Sequence, residues 1–119
     1  ISNNITITFS EAVRNTDNSE LTNSYIEDSL ITLKLNDASG ADIACAAAID
    51  VNKRIITIDP VSNLPQLQTV YVAIGATVEN SAGNTITASH ATFTTYYGYT
   101  EYRFPTAEAI AFPVLKIPK

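Results

Sequence analysis

The side chains able to do chemistry in this chain are few and far apart. There is one histidine, His90. A Ser or Cys nucleophile needs a histidine base and an orienting carboxylate close by. In "ASHATF", Phe93 is the inward residue, so period-two alternation turns His90 outward as a strand-surface residue. Cys45 is the only cysteine, which excludes an internal disulfide. Within the apolar "ADIACAAAID" it reads as a buried thiol packed as a small hydrophobe, with an intermolecular bridge as its other use. There is no Gly-rich phosphate loop, HExxH or cysteine cluster. The acids are spread over loops, not paired across a cleft as glycoside hydrolysis requires. No cofactor is required by any motif. The best cation candidate is "RNTDNSE", where Asn15, Asp17, Ser19 and Glu20 place oxygens at alternating positions suited to calcium. The segment lacks the glycine and distal bidentate glutamate of an EF-hand, since Ile26 stands at the last place. It reads otherwise as a solvated loop. Asn4-Ile5-Thr6 is a glycosylation sequon beside a strand, which favours the strand reading.

The bulk properties narrow the classes. A net charge of −5 with a pI near 4.6 disfavours nucleic acid, whose phosphates call for clustered Lys and Arg. The only adjacent basic pair is Lys53-Arg54, at an expected hairpin turn. Hydrophobic residues make up 45% and charged residues 16%, which argues for one folded domain and against disorder. No apolar run reaches the roughly 18 residues of a membrane span. The chain opens at Ile1 without an initiator Met and reads as a mature or excised piece of something longer.

The elements are short and alternate with period two. "ITITF", 5–9, puts Ile5, Ile7 and Phe9 on one face and Thr6 and Thr8 on the other. The polar stretch after it reads as a long loop in which Ser10 caps a short helical turn. Strands are predicted at 30–35, at 41–49 with Ile43, Cys45, Ala47 and Ile49 on one face, and at 55–58. "VSNLPQLQ" reads as a connection whose Leu64 and Leu67 plug one end of the core. Further strands are predicted at 69–76, with Val70, Val72 and Ile74 inward, around 84–88, and at 91–95. Short strands punctuated by turn residues every 8–12 positions indicate an all-β sandwich or barrel with mostly antiparallel pairing.

In order, "ITITFSEAV", a variable loop, "RIITIDPVSNL", "QTVYVAIGATVENSAGN" and "ATFTT" resemble the bacterial Ig-like domain of S-layer proteins and repetitive surface adhesins. The carrying residues are Phe9-Ser10-Glu11, Tyr71, Glu79, Ala82-Gly83-Asn84 and Phe93-Thr94-Thr95. The resemblance covers residues 1–95. It implies an antiparallel Ig-like β-sandwich of about seven strands, an extracellular or cell-surface location, and a non-catalytic module among copies of itself or neighbouring Ig-like domains. Two departures stand out. The family usually has Asp near position 80, where this chain has Glu79-Asn80. And residues 96–119 take the place of a short linker and a further copy.

That tail is the most informative part of the chain. Four of the six tyrosines lie between Tyr96 and Tyr102, and exposed aromatics at this density are usually covered by something. Tyr96, Tyr97, Tyr99 and Tyr102, with Phe104, are candidates for packing against a neighbour, or for stacking on a cell-surface glycan. In "AEAIAFPVLKIP", Ile110, Phe112 and Val114 share one alternating face and Leu115 and Ile117 the other. A segment apolar on both faces is suited to burial on both. Pro113 favours an edge position, and a linker would be richer in Gly and Ser. The tail therefore reads as an extra edge strand of its own sandwich or a donor strand for another chain. The expected function is a structural module of a prokaryotic surface assembly, as adhesin, S-layer or filament subunit. A glycan-binding adhesin module and an accessory domain of a secreted enzyme are the alternatives.

Overall fold

The computed structural model describes residues 5–61, 64, 67–95, 99–103 and 114–118. They form an all-β molecule of antiparallel sheets with one short helical segment. The first sheet contains β1 (Ile5–Thr8), β4 (Cys45–Ile49), β5 (Ile55–Pro60), β9 (Tyr99–Arg103) and β10 (Val114–Pro118), in the order β4-β5-β1-β10-β9. The second contains β3 (Ile31–Leu35), β6 (Thr69–Ile74) and β8 (Ser89–Thr94), in the order β3-β6-β8. A third pairs β2 (Arg14–Asn15) with β7 (Val78–Glu79).

The two larger sheets bury their alternate residues against each other. Ile5, Ile7, Ile56, Ile58 and Ala47 from one sheet join Ile31, Leu33, Val70, Val72, Ile74 and Phe93 from the other in a single cluster. The period-two pattern of each strand thus becomes the inner face of a sandwich. Val70, Val72 and Ile74 are inward as predicted, with Tyr71 and Ala73 half-buried on the outer side.

The turn from β3 to β4 is one of the places where the chain passes between the layers. β3 and β4 start as a hairpin, with Leu35 N–H donating to Ala41 O and Ile43 N–H to Leu33 O. They then part into different sheets. Gly40 sits in this turn where a Cβ would lie 1.6 Å from the Leu35 carbonyl oxygen, so no side chain fits.

Several sequence expectations are corrected. The stretch after β1 is not all loop. α1 (Asn23–Tyr25) runs into a π-helical turn, Ile26–Leu30, whose buried Ile26 and Leu30 join Leu21 in the core. Its N-cap is Thr22, whose Oγ1 accepts the Tyr25 N–H, and not Ser10. The strand expected around 84–88 is reduced to one bridge, Glu79 to Thr85. Asn80 closes that turn instead, its Oδ1 accepting from Ala82 and Asn84 N–H, while Ile86 plugs the core. Leu64 is buried as expected, but Leu67 is 76% exposed. Its backbone is left-handed, φ 57°, and its N–H is drawn to Thr95 O. That geometry turns the side chain away from the core. Among the described residues no helix is long and apolar enough to cross a membrane.

Candidate functional site

The feature that sets this chain apart is the edge built on β1. β1 pairs with β5 on one side and with β10 on the other. In the β10 register Thr6 stands opposite Lys116, Ile7 opposite Leu115 and Thr8 opposite Val114. β9 then pairs along all of β10: Tyr99 stands opposite Pro118, Thr100 opposite Ile117, Glu101 opposite Lys116, Tyr102 opposite Leu115 and Arg103 opposite Val114. Of the tail residues singled out from the sequence, Tyr99, Tyr102, Val114, Leu115 and Ile117 come together in this two-stranded addition. Tyr96, Tyr97, Phe104, Ile110 and Phe112 lie outside the described residues.

Just before the addition, Thr95 is fully buried. Its N–H donates to Gln68 O, its carbonyl accepts from Leu67 N–H, and its Oγ1 accepts from Gln68 N–H. β8 is therefore pinned at its end, and the chain leaves the three-stranded sheet from a fixed point.

The far end of the larger sheet is finished in another way. β4 is its other edge strand, and side chains from the helical segment cover it. Glu27 Oε2 accepts the Ala47 N–H at 3.1 Å and Asn23 Oδ1 accepts the Ile49 N–H at 3.0 Å. Side-chain acceptors thus occupy donors that an incoming strand would use. Sequence reasoning misses these two residues because the polar stretch around them reads as loop. The spacing of Ile26 and Leu30, four apart behind Thr22, is the signal that could find them.

The candidate chemistry residues have local roles. Asn15, Asp17, Ser19 and Glu20 line one open hollow with Thr22, Tyr25 and Thr77. Asn15 Oδ1 is buried there without a hydrogen-bond partner among the described residues, while other oxygens of the set are paired. Asp17 Oδ1 accepts from the N–H and hydroxyl of Ser19, and the Ser19 hydroxyl chiefly holds the Asp17 carboxyl below its ordinary range. Glu20 is hydrogen-bonded to Lys53 at 2.8 Å, which lowers its carboxyl. Asn15 presents Nδ2 to Ser19 Oγ. Among the described residues no three His, Cys, Asp or Glu side chains converge as for a metal.

His90 is exposed on the outer face of β8, its ring stacked on Tyr71 at 5.3 Å between centroids. Cys45 is only half-buried, not buried as expected, because β4 is an edge strand. Partial burial and the nearby Glu27 push its thiol up, away from the thiolate a nucleophile needs. Arg14 and Glu79 stand opposite each other in the β2–β7 pair and form a 2.8 Å ion pair. Next to it, Asn80 Nδ2 donates to Glu11 Oε2 at 3.3 Å. An aspartate at 80 would keep the turn-closing acceptor but set a second carboxylate against Glu11, so the amide suits both contacts. These residues hold turns and short strands in place.

A family model described as a bacterial Ig-like domain matches residues 1–95. No curated protein and no solved structure gives a significant match.

Proposed function

The chain belongs to the bacterial Ig-like domain family, and we propose from that premise that it is a non-catalytic structural module of a prokaryotic cell-surface assembly. It acts through rigid shape and strand-mediated contacts, as a subunit or domain of an adhesin, S-layer or filament, outside the cell. The observation that carries this reading is the position of the tail. The family match stops at 95, at the buried and pinned Thr95. Beyond Thr95, β9 and β10 extend the sheet at β1 by two strands. β10 lies along β1 on the side away from β5, so the tail meets the family-matched residues through a sheet edge. Sheet edges are where folded modules join one another through backbone hydrogen bonds.

Light scattering and thermal melting of the full chain and of a chain ended at Thr95 test this reading. The full chain is expected to self-associate with rising concentration. The shorter chain is expected to stay a folded monomer and to melt lower, because β1 loses a partner strand. Two monomers with the same melting temperature would overturn it.

A further inference from the structure

The larger sheet has two ends, and among the described residues side chains cover the β4 end. At β4, Asn23 and Glu27 occupy the Ile49 and Ala47 N–H groups. At the other end, β9 pairs with β10 on one side, and its other side has no strand partner among the described residues. An edge of unpaired N–H and C=O groups is a template for another strand.

We propose that β9 is a self-association edge on which the β9 of a second copy pairs antiparallel about a two-fold axis, joining two five-stranded sheets into one. This rests on the structural-module reading above and specifies the surface and the partner.

Charge argues for the partner and selects the register. β9 reads Tyr99-Thr100-Glu101-Tyr102-Arg103. A two-fold centred on Glu101 would set that carboxylate directly opposite its own copy, and like charges opposite each other are destabilising. Moving the centre to Tyr102 sets Glu101 opposite Arg103 of the second copy and Arg103 opposite Glu101 of the second copy. Two opposite-charge pairs then flank an aromatic pair, both favourable cross-strand combinations. The strand is thus self-complementary in one register. Because the β4 end is covered, the contact is isologous and closes on itself. Along this sheet the product is a dimer and not a fibre.

The test is sedimentation velocity on the full chain across concentration at low salt, for wild type, Glu101→Arg, Arg103→Glu and the doubly exchanged chain, with circular dichroism melting of each. Wild type is expected to form a dimer that weakens with salt. Each single exchange creates two like-charge pairs and is expected to weaken dimerisation roughly tenfold or more. The double exchange restores both intermolecular pairs and is expected to recover most of the affinity, while melting somewhat below wild type because the arginine placed at 101 then stands opposite Lys116 in its own chain. A wild type monomeric at every concentration, oligomers that grow past the dimer, or single variants that dimerise as well as wild type would overturn the inference. Association that survives the single exchanges but is lost from a chain ended at Thr95 would overturn this register and leave the structural-module reading standing.

Discussion

Gly40 is the residue on which the turn between β3 and β4 depends most directly. A Cβ there would meet the Leu35 carbonyl oxygen at 1.6 Å and the Asp37 carbonyl oxygen at 3.2 Å. Both belong to the turn that carries the chain from β3 to β4. The backbone has no flexible side chain to move aside, so the hairpin itself must open. Gly40→Ala is expected to cost roughly 3 kcal/mol or more, lowering the melting temperature by on the order of 10 °C in calorimetry. At this scale the sequence was legible where a residue's role is local. The outward position of His90 and the buried Leu64 follow from alternation and hydrophobicity, as the structure places them. Leu67 was not legible, because its orientation is set by a left-handed φ and a bond to Thr95, 28 positions away in the chain. Nor was the shared role of Asn80, whose amide serves the turn and Glu11 at once. The oxygens of "RNTDNSE" do share one hollow. Asp17 pairs locally with Ser19, whereas the pairing of Glu20 with Lys53 depends on a hairpin turn far along the chain.

Among the elements, the helical segment has two tasks. It fills the core with Ile26 and Leu30, and it lays Asn23 and Glu27 along the β4 edge. Removing these acceptors by Asn23→Ala with Glu27→Ala leaves two edge donors open. We expect a loss of about 1 kcal/mol for each bond, read by denaturant unfolding. We also expect a second free edge, so that the dimer formed through β9 lengthens into larger oligomers in light scattering. Destabilisation without any change in assembly would show that the β4 bonds serve stability alone. Strands of four or more residues with clean alternation were readable from sequence, and β1, β3, β5, β6 and β8 fall where the pattern put them. β2 and β7 were not. Two residues cannot display a period, and their pairing is held by Arg14 and Glu79, 65 positions apart. The helical segment escaped because only two of its positions are apolar and buried, too few to outweigh the polar residues around them.

At the scale of the molecule, the family-matched residues 1–95 are followed by two antiparallel strands, β9 and β10, that extend the larger sheet at β1. β1 is an interior strand of the larger sheet because β10 occupies the side away from β5. The composition of the tail announced an added strand, but the sequence left open whether it pairs within the chain or with another. That choice depends on the distance from the pinned Thr95 to β1, which no local pattern encodes. The central claim is that the tail seats on its own β1 and thereby offers β9 to a second copy. Amide hydrogen exchange, measured strand by strand at increasing protein concentration, tests it most directly. With the tail seated in its own chain, β1 amides facing β10 are protected to the same degree at every concentration, and β9 amides gain protection as the dimer forms. Protection of β1 that itself rises with concentration would contradict the claim, because the strand seated on β1 would then come from another chain.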